Sequence, residues 1–144
     1  MFKRILVPTD GSDITANAVA TAIGLAKALG GTVNAVSVKE PFPYAAISEM
    51  QPTSPQVFFD AQERIAAARV KAVADACAAA GIGCEAATLE ALHPWEAIIE
   101  HAKGTACDLI VMASHGRRGV SALLLGSETQ KVLTHTKIPV LVVR

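Results

Sequence analysis

The sequence predicts an α/β fold: a single open five-stranded parallel sheet with helices on both faces. Three observations predict it. Short β-branched runs alternate with long Ala-rich stretches of helical period. The run RILVP is continuously apolar, as expected of a strand covered on both faces. The order β-α-β-α-β-α-β-α-β then requires right-handed crossovers, which make neighbouring strands parallel. A chain of 144 residues suits one domain, taken as residues 1–144.

Each element has its own signal. Arg4 to Pro8 (RILVP) is the first strand. Ser12 or Asp13 can cap the helix that follows, in which Ile14, Ala18, Ala22, Leu25, Ala26 and Leu29 fall on one face. Gly30-Gly31 ends it. Thr32 to Val38 is the second strand. Residues 39–55 hold Pro41, Pro43, Pro52 and Pro55 with no clean period and read as a long loop. Gln56 to Ile82 is the longest helix, stopped by Gly81 and Gly83, and Cys84 to Glu90 is the third strand. His93 to Ala106 is a short helix with Pro94 near its first position, where a missing N–H costs little. Cys107 to Ser114, Gly126 to Thr136 and Pro139 to Arg144 complete the pattern as strand, helix and strand.

Composition excludes several classes. Lys+Arg and Asp+Glu balance at 13 each, so no global field draws the chain to nucleic acid or anionic lipid, and any anion site must be local. No apolar run approaches the ~20 residues of a membrane helix. The start, MFKRILVPTD, has no apolar signal region and reads as a folded strand. The cysteines Cys77, Cys84 and Cys107 lie in separate elements without a C-x-x-C, and read as buried reduced thiols of a cytoplasmic protein. Asp60, Glu63 and Arg64 read as a solvated helix face, and His93, His101 and His135 as helix-end or surface residues.

In open sheets of this type, ligands sit beyond the carboxyl ends of the strands, where the strand order switches direction. The candidate site therefore gathers VPTDGS, SVKEP and VMASHG. After the fourth strand come Ala113-Ser114-His115-Gly116, nine residues, and then Gly126-Ser127-Glu128-Thr129. Gly116 and Gly119 allow close approach of backbone to a ligand or a positive φ. Gly126 to Thr129 opens a helix, whose free N–H groups and dipole favour a phosphate. Two such corners joined by a loop that folds back can hold the β and γ phosphates of a nucleotide, or can be a glycine turn followed by an ordinary cap. Neither a Walker A loop nor a dinucleotide G-x-G-x-x-G occurs. Asp10 can bond a ribose or adenine, or help hold a metal on phosphates, or cap the first helix; Asp10 and Ser12 are not both needed for that cap. Of Arg117 and Arg118, adjacent arginines pointing different ways, one at most is expected to reach a ligand. No catalytic set is visible. Asp10 with His115 is a weak acid/base pair, and turnover is expected to be at most slow ATP hydrolysis or self-phosphorylation.

Together these residues resemble the universal stress protein family: KRILVPTDGS, the strand order, CDLIVMASHGRRGVSALLLGS and the terminal KIPVLVV. The resemblance covers the whole chain and implies a Rossmann-like fold of the adenine-nucleotide alpha-hydrolase type. Nucleotide-binding members carry G-x-x-G, nine residues and G-[S/T]; here Ala113 stands at the first glycine. The resemblance implies ATP, with Mg or Mn, as the ligand. Pro8, Thr9, Asp10 and Val38 would line the adenosine. Met112, Ala113, Ser114, His115, Gly116, Arg117, Arg118, Gly119, Gly126, Ser127, Glu128 and Thr129 would line the phosphates. The Ala113 methyl costs little at negative φ and ~1 kcal/mol or more at positive φ. Glu128 places a carboxylate beside the phosphates, or points to solvent, or accepts a metal. The resemblance further implies a homodimer through Pro139–Val143, an apolar edge with no charge before Arg144. The expected role is a stress-response regulator whose Arg117–Leu125 loop is ordered by phosphate; the alternative is a nucleotide-free dimeric interaction module, with Ala113 as its evidence.

Overall fold

The computed structural model describes residues 1–42, 54–116 and 125–144. Five parallel strands form one sheet: β1 (Arg4–Pro8), β2 (Thr32–Lys39), β3 (Cys84–Glu90), β4 (Leu109–Ala113) and β5 (Val140–Val143). Their spatial order is β3-β2-β1-β4-β5, so the chain reverses its direction of travel between β1 and β4. Helices α1 (Asp13–Leu29) and α2 (Pro55–Ala79) cover one face; α3 (Pro94–Gly104) and α4 (Ser127–His135) cover the other. Most of the region expected to be a long loop, residues 43–53, lies outside the described residues, and Lys39 and Pro55 at its margins belong to β2 and α2.

Strand alternation divides the core in two. Ile5 and Val7 of β1, Val33 and Ala35 of β2, and Leu109, Val111 and Ala113 of β4 face α1 and α2. Leu6, Val36, Ile110 and Met112 face α3 and α4. That double burial is why RILVP reads as an unbroken apolar run. On α1, Ala18, Ala22 and Ala26 are fully buried with Thr15, while Ile14 and Leu25 pack at the margin. Ser12 is the N-cap and Gly30, at φ 64°, the left-handed C-cap, so its lack of a Cβ is used there.

Two polar residues inside the apolar strands are accounted for differently. Asn34, buried on β2, donates to Glu85 Oε2 at 3.3 Å and meets His101 Nε2 at 3.1 Å. His101, in the last turn of α3 as expected, is thus also the partner of a buried amide. Ser37 Oγ, on the same strand, is a buried side-chain oxygen with no hydrogen-bond partner among the described residues. The cysteines are free thiols in separate elements, Cys77 and Cys107 buried as expected and Cys84 only partly buried. Among the described residues, no helix is long and apolar enough to cross a membrane.

The entry to β1 is held by one carboxylate. Asp108 accepts from the amides of Lys3 at 3.0 Å and Arg4 at 2.9 Å. Burial raises its carboxyl pKa, but the backbone donors of Arg4, Lys3 and Asp108 itself outweigh that and hold it below 3.8. A lowered folded pKa stabilises the fold at pH values above the unfolded one, and the benefit fades as pH falls through the folded value. Asp108→Ala is expected to lower the thermal midpoint at pH 7 by about 3–8 °C. The gap from wild type should close as melts are repeated down to pH 2.

Candidate functional site

Beyond the carboxyl ends of β1 and β4, at the reversal of strand order, three short segments meet. The first follows β1. Thr9 N donates to Val36 O at 2.8 Å, and Gly11, at φ 78°, turns the chain into α1. Asp10 Oδ1 accepts from Ser12 N at 2.9 Å and from Thr15 Oγ1 at 3.1 Å. Ser12 Oγ in turn accepts from Thr15 N at 3.5 Å. Ser12 is thus the cap of α1, and Asp10 supports it through the amide of Ser12 and the hydroxyl of Thr15.

The second segment follows β4. Ser114 N donates to Val143 O at 2.7 Å, and Ser114 Oγ lies 3.1 Å from His115 Nδ1. At Gly116 a Cβ would come within 2.7 Å of Asp10 Oδ2, so a side chain here would displace the carboxylate. The need for glycine is one of space across the β1–β4 seam; no left-handed φ occurs at this position.

The third segment opens α4. Gly126 N donates to Ser114 O at 2.7 Å, and Thr129 Oγ1 donates to Ala113 O at 2.9 Å. A Cβ on Gly126 would sit 3.0 Å from His115 Cα. The nine-residue spacer thus returns the chain to the point it left. Gly126 is the N-cap of α4 and supplies no side-chain cap, so among the described residues the first-turn amides of Ser127, Glu128 and Thr129 have no cap from their own N-cap.

The structure brings Thr9, Asp10, Ser114, His115, Gly116, Gly126, Ser127 and Thr129 together through these contacts. Pro8 closes β1 beside them, paired with Val36. Four expected lining residues have their side chains engaged outside these contacts. Met112 is buried in the core under α3 and α4. Ala113 is buried in the core under α1 and α2, and its φ is not positive. Glu128 Oε2 accepts from Trp95 N at 2.9 Å, so its carboxylate caps α3 and is directed away from the α4 amides. Val38 lies on β2 and packs against the core under α3 and α4. Arg117, Arg118 and Gly119 lie outside the described residues.

Two residues of this region went unread in the sequence. Thr15 is buried and bridges Asp10 to the α1 cap. Ser37 is the orphan hydroxyl, one position along β2 from the carbonyl that holds Thr9. A hydroxyl inside a continuous apolar strand was the signal available for Ser37. Among the described residues, no group of three or more His, Cys, Asp or Glu is placed to hold a metal ion. Two surface depressions, of about 320 Å³ beside Lys39 and Phe59 and about 400 Å³ beside Trp95 and His135, contain none of the crevice residues.

Among the described residues, the start of α4 has no cap from its own N-cap side chain and stands beside backbone pinned at two glycines. Known proteins are similar to this chain over its full length. A universal stress protein of Thermus aquaticus is 38% identical over 144 residues, the full length of both chains. The solved structure of the universal stress protein UspA from Lactobacillus plantarum has the same fold, with a TM-score of 0.82 at 24% identity over 99% of this chain and 98% of that one. A solved universal stress protein in complex with cAMP has a TM-score of 0.73 at 26% identity, over 99% of this chain and 97% of the other. The model of the Universal stress protein family matches residues 1–144. With its parallel sheet, its crevice at the β1–β4 reversal and full-length likeness to these relatives, the chain belongs to the universal stress protein family.

Proposed function

We propose that the protein is an adenine-nucleotide-binding stress-response regulator whose ligand is ATP, held with Mg or Mn at the crevice between β1 and β4. The observation that carries this reading is the start of α4. Its first-turn amides have no cap from their own N-cap side chain, Glu128 is turned away onto α3, and Gly126 is pinned to Ser114 O beside Gly116. A helix start free of its own carboxylate is a ready phosphate site. The cAMP complex of a relative supports an adenine nucleotide as the class of ligand. Thr9 and Ser37 would face the nucleoside end, and Ser114, Ser127 and Thr129 the phosphates. The bound nucleotide supplies a charged group whose hold on the crevice can be read by partner proteins. The rival reading of a nucleotide-free module draws on Ala113, whose methyl packs in the core under α1.

Calorimetry on nucleotide-stripped protein checks this directly. Mg-ATP should bind with a dissociation constant below a millimolar, and no heat at millimolar ATP would overturn the reading. Gly116→Ala, which forces Asp10 Oδ2 to move, should weaken ATP by about tenfold or more, equal to about 1.4 kcal/mol. Ala113→Gly should leave the affinity within about twofold. A large gain on Ala113→Gly would mean that the methyl obstructs the ligand.

We also propose a homodimer through the outer edge of β5. That strand ends the sheet, and Leu141 on it is 39% exposed. An apolar edge strand without a charge is a template for pairing. Light scattering should give twice the 14.9 kDa chain mass. Leu141→Lys should shift the population to monomer, and a wild-type monomer would rule the pairing out.

A further inference from the structure

We propose that Cys77 and Cys84 are a redox pair that closes a reversible disulfide when the protein meets a hydroperoxide. Cys77 lies on the last turns of α2, and Cys84 is the first residue of β3. The turn between them brings them back to one place. Gly81 takes φ 73°, and Ile82 N donates to Cys77 O at 2.9 Å, so the chain doubles back under the helix end. Register does the rest. Cys84 pairs with Val33, which puts its side chain on the face covered by α2. Cys77 is wholly buried in the cluster that contains Val33, and Cys84 packs against that cluster. The Cys84 sulfur is near enough to Cys77 to add to the rise of its thiol pKa. Cys107 is in the other cluster, across the sheet, so the pairing has no competitor within the chain.

The two thiols are unequal. Cys77 is fully buried and Cys84 half-buried, so Cys84 is the sulfur that meets an oxidant. Burial pushes the Cys77 thiol up to about 12 and raises Cys84 as well. Thiolate is therefore scarce and the reaction slow, suited to a small neutral peroxide in excess. The Cys84 sulfur attacks the outer peroxide oxygen; the O–O bond breaks and the leaving oxygen takes the thiol proton as an alcohol or water. Cys84 is then a sulfenic acid. The Cys77 sulfur attacks it and an S–S bond forms. The S–O bond breaks, and the hydroxide leaves as water with the Cys77 proton. Each sulfur has lost one electron, and the peroxide oxygens have gained two.

The pair lies at the amino ends of the strands, opposite the crevice, and its chemistry does not rest on nucleotide binding. The test treats reduced, native, full-length protein with excess hydrogen peroxide, alkylates it in denaturant and maps tryptic peptides by mass. Cys77 and Cys84 both fall in the peptide Ala72–Lys103, with Cys107 outside it. The expected product is that peptide short of two hydrogen atoms, carrying no alkyl group, and restored by dithiothreitol. In Cys77→Ser, Cys84 should instead stop at a sulfenic acid that dimedone traps. Two alkylated cysteines after prolonged treatment would overturn the proposal, as would over-oxidised Cys84 without a link, or a link between chains. An ATP titration of the oxidised protein should match that of the reduced one, so failure of either reading is seen separately.

Discussion

The crevice depends on how closely α1 can lie over the seam between β1 and β4. Its buried stripe is Ala18, Ala22 and Ala26, each with no exposed surface, packed with Val7 of β1 and with Val111 and Ala113 of β4. Methyl groups hold a helix nearer to a sheet than branched side chains would, and interiors at native density leave no slack for a larger residue. That seating sets the height at which α1 begins. The height in turn decides where Asp10 stands when it supports the cap of α1, and Asp10 Oδ2 then fills the space that a side chain at Gly116 would need. A choice of alanine three turns away is thus felt as the requirement for glycine in the site.

Three carboxylates are the second organising element, and each accepts from backbone amides. Asp108 takes the amides of Lys3 and Arg4, Asp10 that of Ser12, and Glu128 that of Trp95. Amides left at a strand or helix end must find an acceptor, and an ionised carboxylate is the strongest one on offer. The start of α4 is treated differently, since Gly126 brings no side-chain acceptor and the acid of its own first turn serves α3. One helix start is thereby satisfied by another helix's residue, and an anion-seeking end remains beside Gly116.

Most of the architecture was legible because double burial leaves a strong trace. RILVP, TVNAVSV and the apolar heart of CDLIVMAS are strands at nearly the expected limits, and Ser12, Gly30 and Pro94 mark helix ends as their local chemistry dictates. What escaped was set by side-chain direction. Spacing placed Glu128 beside the phosphates, but its i+1 neighbours give no sign that it reaches Trp95 across to α3. His101 and Asn34 are 67 positions apart, and Cys77 and Cys84 are joined by a turn whose hand depends on Gly81. Such meetings come from register and packing, which a single sequence does not print.

Ala113 shows how register changes the meaning of a motif position. It closes β4, pairs with Val143, and by strand alternation shares a face with Val111 and Leu109. Its methyl therefore belongs to the layer under α1. Its carbonyl, in the plane of the sheet, accepts from Thr129 Oγ1 and fixes the first turn of α4. This position holds the first turn of α4 through its backbone, which glycine and alanine present alike when φ is not positive. The glycines that do matter are Gly116 and Gly126, where a Cβ has nowhere to go. A departure at the first glycine of the pattern and retention of the other two are then consistent with one physical rule: glycine is held where another atom already occupies the place of a side chain.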